Sequence, residues 1–206
     1  RVTVLCEIDV TGPRASGHSP TGIQNVAVDS FDVTFDEAID TSTFLPSHVS
    51  VNGPFGTAAV LEIISLSASS FRITIPANEA DGVYHVTIDP QLADLAGNSL
   101  DQDGDGQAGE PVDDRYEFEF VQQLPNLVVT DIAYPVEALS GQEIEIAWTV
   151  TNVGLGPAIG SWTDVVCFSD DAASGSDELL GQVEFTQPLG PGESYTRILT
   201  MTVPSE

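Results

Sequence analysis

Residues 116–120 read Tyr116-Glu117-Phe118-Glu119-Phe120, in which aromatic and acidic side chains alternate without a break. The same period of two occurs in Phe31-Asp32-Val33-Thr34-Phe35 and, over a longer run, from Ile144 to Val150. Successive side chains of a β-strand point to opposite faces, so each run presents one apolar and one largely polar face. Such alternation is typical of half-buried antiparallel strands, and it predicts an all-β chain.

The chain is long enough for two modest domains, and one short segment separates them. Domains commonly contain about 100–150 residues, and this chain has 206. Pro125 lies between two strand-like runs, where its ring stiffens the link. We therefore expect two tandem antiparallel β-sandwiches, at residues 12–122 and 123–206. Residues 1–11 form an orphan strand or the end of a preceding domain.

The charge of the chain excludes several classes of partner. There are 32 acidic residues against 5 basic ones, which gives a formal net charge of −27, and lysine is absent. Such a surface repels phosphate, so nucleic acid is not expected as a partner and anionic membranes are poor partners. It attracts cations, although adaptation to a salty medium explains the overall charge equally well. No run of about 18 apolar residues is present, so no membrane insertion is expected.

One loop carries a motif with specific chemistry, Asp101-Gln102-Asp103-Gly104-Asp105-Gly106-Gln107. Calcium binds about six to eight oxygen atoms, and alternating aspartates on a tight loop direct their carboxylates to one point. Gly106 stands where the calcium loop of an EF-hand needs its sharp turn, and Gln107 stands where a backbone carbonyl is a ligand. The pattern predicts a Ca²⁺ site.

The second half of the loop departs from the EF-hand. Its twelfth position is Val112, which has no side-chain oxygen, so Glu110, Asp113 or Asp114 must complete the ligand shell. Pro111 disfavours a following helix, which makes this a calcium loop between β-strands. The candidate ligands are Asp101, Asp103, Asp105, Gln107, Glu110, Asp113 and Asp114. A second acidic cluster, at Asp170, Asp171, Asp177 and Glu178, lacks the regular spacing, and we interpret it as a solvated loop.

The first domain resembles the bacterial Ig-like modules of the SbsA or Big type, over residues 12–121. The resemblance implies an immunoglobulin-like sandwich, and it makes Tyr84 similar to the tyrosine corner, whose hydroxyl bonds to the backbone. The motifs that carry it are Val33-Thr34-Phe35-Asp36-Glu37-Ala38-Ile39-Asp40, Thr43-Phe44, Gly82-Val83-Tyr84 and Asp94-Leu95-Ala96-Gly97-Asn98.

The second domain resembles CARDB, the cell-adhesion-related domain of bacteria and archaea, over residues 125–204. The resemblance implies a second Ig-like sandwich with a role in adhesion or surface assembly. CARDB domains usually continue with two further strands, so we expect a truncated domain, cut from a longer chain at both ends. The carrying motifs are Pro125-Asn126-Leu127-Val128-Val129, Trp148-Thr149-Val150-Thr151-Asn152-Val153-Gly154, Trp162-Thr163-Asp164 and Leu189-Gly190-Pro191-Gly192-Glu193-Ser194.

Two cysteines, Cys6 and Cys167, lie far apart in the sequence and in different expected domains. Each lies in an apolar run, so we interpret both as small buried hydrophobic residues rather than a disulfide pair. Val2–Val10 has the pattern of a strand without an obvious place in the first domain. Donation of this strand to another copy of the chain is the alternative to truncation.

The sequence carries no catalytic motif. The run Gly104-Asp105-Gly106-Gln107-Ala108-Gly109 matches a dinucleotide pattern, but no strand–helix unit surrounds it and its aspartates would repel a pyrophosphate. Glu117 with Glu119, and Glu143 with Glu145, alternate with apolar residues and belong to the solvent face of a sheet rather than to a glycosidase pair.

These observations favour a non-catalytic, calcium-stabilised structural or adhesive module of a secreted or cell-surface microbial protein, in which calcium stiffens the interdomain joint. The candidate partners are calcium, other surface proteins, glycans and further copies of the chain. One alternative is a carbohydrate-binding accessory region of a secreted hydrolase, for which Trp162 is the residue to test. The other is a filament subunit that assembles by strand donation.

Overall fold

In the computed structural model, the chain consists almost entirely of β-strands. The structure describes residues 8–77, 79–169 and 177–204. The chain divides into two compact units, Arg1–Gln123 and Leu124–Glu206. Within the described residues, helical structure is limited to one 3₁₀ turn, Pro46–His48. The all-β fold predicted from the alternating pattern is confirmed.

The first unit contains a four-stranded sheet and a five-stranded sheet. The four-stranded sheet has the order β1-β3-β7-β6 and is antiparallel. The other has the order β2-β9-β8-β4-β5, in which β2 pairs with β9 in parallel. The strands are β1 (Ala15–Ser19), β2 (Gly22–Gln24), β3 (Ser30–Phe35), β4 (Val49–Gly53), β5 (Gly56–Ala58), β6 (Glu62–Ser65), β7 (Ser70–Thr74), β8 (Gly82–Ile88) and β9 (Tyr116–Gln122).

The core of the first unit forms between the inner faces of these sheets. In β3 the side chains of Phe31, Val33 and Phe35 are buried, and in β9 those of Phe118 and Phe120 are buried. The intervening Glu117 and Glu119 of β9 are exposed. The period of two therefore sorts the chain into a core face and a solvent face, as predicted.

Tyr84 of β8 joins the core to the backbone, as a tyrosine corner does. Its hydroxyl donates a hydrogen bond to the Ala80 carbonyl at 3.0 Å. Its ring stacks on Phe120, with 5.0 Å between the ring centroids. On its other side the ring lies so close to Gly53 that a Cβ atom at that position would come within 2.5 Å of it. A glycine in β4 is therefore needed for close approach.

Replacing Tyr84 by Phe should lower the free energy of unfolding of the first unit by about 1 kcal/mol, because it removes one buried hydrogen bond and keeps the ring. The check is the midpoint of urea unfolding followed by far-UV circular dichroism. A matched control is Tyr134→Phe, since Tyr134 is exposed in the second unit. An unchanged midpoint for Tyr84→Phe would contradict the prediction.

The second unit contains a three-stranded sheet, β10-β11-β14, and a two-stranded sheet, β12-β13. All pairings within them are antiparallel. The strands are β10 (Leu127–Ala133), β11 (Glu143–Asn152), β12 (Trp162–Phe168), β13 (Glu178–Phe185) and β14 (Ser194–Thr202). The exposed Glu143 and Glu145 lie on the solvent face of β11, as predicted.

A network of polar side chains joins the two sheets of the second unit. The Asp164 carboxylate of β12 accepts hydrogen bonds from Trp148 Nε1 of β11 at 2.8 Å and from the Tyr195 hydroxyl of β14 at 2.8 Å. Trp162 Nε1 donates in turn to the Tyr195 hydroxyl at 2.9 Å. Trp148 is buried, so this carboxylate satisfies a donor that water does not reach.

Asn152, at the end of β11, is fully buried and uses its whole amide group. Its oxygen accepts from the backbone N–H groups of Asn126 and Gly154, both at 3.0 Å. Its nitrogen donates to the carbonyls of Gly156 and Leu189, both at 2.9 Å. One side chain thereby fixes the start of the unit and two of its loops.

Several expectations from the sequence are wrong or concern residues outside the described ranges. Cys167 is exposed rather than buried. It lies in the two-stranded sheet, and no other described strand covers it. Ile8 and Val10 belong to no strand and are exposed. Val2–Glu7, including Cys6, and Asp170 and Asp171 of the second acidic cluster lie outside the described residues.

Candidate metal centre

The predicted calcium loop connects the core to the last strand of the first unit. It begins after Leu100, which is fully buried, and the N–H of Gly109 donates to the Leu100 carbonyl at 2.8 Å. The Asp101 N–H donates to the Pro13 carbonyl at 3.1 Å. The Gln102 amide exchanges two hydrogen bonds with the backbone of Ala15, at 2.9 and 3.2 Å. Both ends of the loop are thus fixed to ordered backbone.

Backbone N–H groups orient the carboxylates of the first half of the loop. Asp101 accepts from Gly104 at 2.8 Å and from Gly106 at 3.1 Å, one N–H for each carboxylate oxygen. Asp103 accepts from the N–H of Asp105 at 3.0 Å. Gly104 and Gly106 have φ values of 78° and 85°, which side chains rarely adopt, so glycine allows the chain to wrap around these carboxylates.

Asp114 is the least accessible carboxylate of the site. It follows a turn that begins at Glu110, whose N–H donates to Asp114 Oδ2 at 2.8 Å. The residue is 0% exposed, and its other oxygen, Oδ1, is buried without a hydrogen-bond partner. A buried carboxylate oxygen without a partner is costly, because it loses its hydration and gains nothing in return.

The fold brings five of the seven predicted ligands into two overlapping groups. Carboxylate oxygens of Asp101, Asp103 and Asp114 lie within 4.8 Å of one another, and so do those of Asp103, Asp105 and Glu110. Asp103 belongs to both groups. Asp113 belongs to neither group. Gln107, which was predicted as a ligand through its backbone carbonyl, donates from its side-chain amide to Asp105 at 2.7 Å.

The carboxylates of the site repel one another. Desolvation raises the pKa of Glu110, and the carboxylates of Asp105, Asp113, Asp114 and Asp103 raise it further. The Arg14 guanidinium lies against Gly104, so a side chain at that position would collide with it. These acidic groups are close enough for one divalent cation to bind several of them at once.

A second group of carboxylates, at Asp9, Glu37 and Asp94, was not predicted as a cluster. Asp94 is buried, but one of its oxygens accepts from the N–H groups of Ala96 and Asn98, at 2.8 and 2.7 Å. The other accepts from the Asn98 side chain at 2.8 Å. Both carboxylate oxygens of Asp94 therefore accept hydrogen bonds from its own turn. Asp114 differs, because its Oδ1 has no such partner.

Trp162, the candidate for carbohydrate binding, has structural contacts, and so do two of the histidines, His18 and His85. Trp162 stacks on Phe185 with 4.9 Å between centroids, and its nitrogen is bonded to Tyr195. His18 stacks on Phe118 at 4.0 Å, and His85 lies 3.5 Å from Glu119 on the solvent face. In the described ranges, no helix has the length and apolar character needed to cross a membrane.

The chain is similar to several solved structures and matches one domain family. The sequence has no match among curated proteins. Among solved structures, it is similar to the N-terminal part of the bacterial S-layer protein SbsC, with 16% identity and a TM-score of 0.42 over 95% of this chain and 45% of that chain. It is also similar to domains 1–6 of surface layer protein SbsC, with 13% identity and a TM-score of 0.40 over 95% and 41% of the two chains.

The chain spans less than half of the length of these S-layer structures. A family model described as a bacterial Ig-like domain matches residues 9–119, which is more than half of the sequence. The match includes β1 to β8, the whole of the predicted calcium loop and the first part of β9. The chain therefore belongs to the bacterial Ig-like domain family.

Proposed function

We propose that the chain is a non-catalytic, calcium-stabilised structural module of a secreted or cell-surface microbial protein. In this proposal one calcium ion binds in the loop between β8 and β9. The second unit is a CARDB-like sandwich that serves adhesion or surface assembly. The family of the first unit and the loop chemistry support the first part. The motifs from Pro125 to Ser194 support the second.

The observation that carries the calcium proposal is the buried Oδ1 of Asp114. Asp94 shows how this fold satisfies a buried carboxylate with backbone donors, whereas Asp114 Oδ1 has none. Oxygens of Asp101 and Asp103 lie within 4.8 Å of an Asp114 oxygen. Three carboxylates at this distance repel one another unless a cation lies between them.

The ligand chemistry favours calcium over other metals. All the clustered donors are carboxylate oxygens, which hard cations prefer, and histidine and cysteine are absent from the two groups at the loop. Calcium tolerates flexible, irregular geometry, whereas magnesium needs near-octahedral ligands and retains water. Extracellular calcium modules have Kd values of about 10⁻⁴–10⁻³ M, so this site suits a calcium-rich medium.

Calcium would act mechanically, through the strand that follows the loop. Asp114 lies two residues before β9, which begins at Tyr116 and ends at Gln122, just before the second unit starts at Leu124. Fixing Asp114 therefore fixes the start of the strand that leads into the link between units. The cation is proposed to order this segment, not to supply chemistry.

Calcium removal is expected to destabilise the first unit. At a calcium concentration about one hundred times the Kd, binding stabilises the folded state by about 2.7 kcal/mol. The test compares thermal unfolding in excess calcium and in chelator, with isothermal calorimetry to give the stoichiometry. One ion per chain and a higher midpoint with calcium are the expected results.

Asp103→Asn/Asp105→Asn is the variant that should lose this response, because it removes two ligand charges at nearly constant shape. Its control is Glu143→Gln/Glu145→Gln, which removes two exposed charges from the second unit. The control should keep the calcium-dependent rise in midpoint. Equal responses from both double variants would show that calcium only screens the net charge of −27.

The carbohydrate-binding alternative has less support from the contacts of its test residue. A sugar platform needs an aromatic face open to solvent, and Trp162 stacks on Phe185, which stacks in turn on Tyr195. Loss of glycan binding on Trp162→Ala, with the fold retained, would favour that alternative over the proposed structural role.

A further inference from the structure

The second unit has an apolar groove between its two sheets. The groove has a volume of 370 Å³, and its apolar walls include Val129, Ile132, Ile146 and Trp148 from one sheet and Val165 from the other. Ile132 is paired with the buried Trp148, yet it remains 56% exposed. The inner face of β10 is thus only partly covered by the rest of the unit.

The same groove lies beside an unpaired strand edge. Among the described residues, β12 pairs only with β13, so one row of its backbone donors and acceptors has no partner strand. An isolated pair of strands is marginal in water, and three or more are the usual minimum for stability. An added strand at β12 would complete this sheet and cover the groove.

The N-terminal segment Val2–Ile8 has the sequence that this edge requires. Apolar residues occupy alternate positions at Val2, Val4, Cys6 and Ile8, so one face of an extended segment is apolar. The segment is as long as β12, which has 7 residues. Its one charged residue is Glu7, and Arg1, directly before the segment, offsets that charge, so the segment avoids the repulsion that other parts of this acidic chain would meet. Ile8, at the described end, is 77% exposed.

The positions of the two cysteines support the same pairing. Cys6 lies on the apolar face of this segment by its spacing, and Cys167 is exposed and lines the groove. The chain contains only these 2 cysteines. The N-terminal segment and the groove therefore carry one thiol each.

We infer that Val2–Ile8 of one copy of the chain adds as a strand to the free edge of β12 in a second copy. The apolar side chains of the segment fill the groove, and the backbone pairs with β12. The contact is heterologous, because donor and acceptor are different surfaces, so copies join head to tail. This inference goes beyond the calcium proposal and does not depend on it.

Disulfide trapping tests the inference directly. The Cys6→Ser and Cys167→Ser full-length chains are mixed in equal amounts and oxidised mildly. Each variant keeps one of the two thiols, so only contact between copies can join Cys6 to Cys167. The expected product is a covalent dimer in the mixture. Since lysine is absent, trypsin cuts after arginine, and mass spectrometry should find peptide 2–14 joined to peptide 116–197.

Matched charge substitutions separate specific docking from random collision. Val4→Asp, introduced on the Cys167→Ser chain, should lower the yield of the mixed dimer about tenfold, because it places a charge in the apolar groove. Thr3→Asp on the same chain adds the same charge on the opposite face and should leave the yield largely unchanged. Sedimentation equilibrium of the native chain should show association that Val4→Asp removes.

Three results would overturn the inference. The first is a mixture without the Cys6–Cys167 product. The second is a yield that is the same in denaturant, which would show unspecific collision. The third is a native chain that forms the link at high dilution while the mixture does not, which would place both thiols within one copy.

Discussion

Asp114→Asn should raise the stability of the first unit in chelator and lower it in excess calcium, relative to the unmodified chain. Without calcium, the buried Oδ1 carries charge without a partner, and a neutral amide can donate to Asp101 or Asp103 instead of repelling them. The expected gain is about 1–3 kcal/mol. With calcium, the variant loses one charged ligand, and with it most of the roughly 2.7 kcal/mol of stabilisation by binding at one hundred times the Kd.

Urea unfolding in the two conditions, followed by far-UV circular dichroism, measures this reversal. Asp113→Asn is the matched control, because it removes one charge from the same turn at a residue outside both carboxylate groups. The control should change stability little and respond to calcium as the unmodified chain does. Equal destabilisation of Asp114→Asn with and without calcium would mean that Asp114 serves only to hold the Glu110 turn.

Asp164→Ala should destabilise the second unit by about 3–5 kcal/mol. The substitution leaves Trp148 Nε1 and the Tyr195 hydroxyl without their acceptor, and Trp148 is buried where water does not replace it. Asp164→Asn keeps one acceptor oxygen, so its loss should be smaller, about 1–2 kcal/mol. The conservative variant also gives a result if the alanine variant does not fold.

Tryptophan fluorescence isolates this effect, because both tryptophans, Trp148 and Trp162, lie in the second unit. The control is Asp131→Ala, which removes an exposed carboxylate from β10. A loss below about 0.5 kcal/mol for Asp164→Ala would place it among ordinary surface substitutions and contradict the proposed cross-sheet role.

The alternating pattern predicts strands that are buried on one face only, because such burial imposes the pattern directly. The runs around Val33, Phe118 and Trp148 lie in β3, β9 and β11. The pattern failed at Cys167, which follows two valines but is exposed. Burial depends on whether another strand covers the residue, and the local sequence does not contain that information.

The clustering of carboxylates in the loop from Asp101 to Asp114 was predictable from their spacing, but the roles of its last members were not. Asp113 and Asp114 are identical neighbours, and only the turn that begins at Glu110 decides that Asp114 points inward. The group of Asp9, Glu37 and Asp94 was missed because its members come from three distant segments. Spacing identifies sites within one loop, whereas the fold alone assembles sites from several.

The parallel pairing of β2 with β9 gives the first unit a way to resist tension. β2 lies near the beginning of the unit and β9 at its end, and they are joined in register from Gly22 with Phe120 to Gln24 with Gln122. Pulling the two ends of the unit apart loads these strands in opposite directions along their length. The evenly spaced hydrogen bonds between them then share the force and break together, rather than one after another as in a peeled hairpin. Such shear geometry suits a module that holds a load between two attachment points.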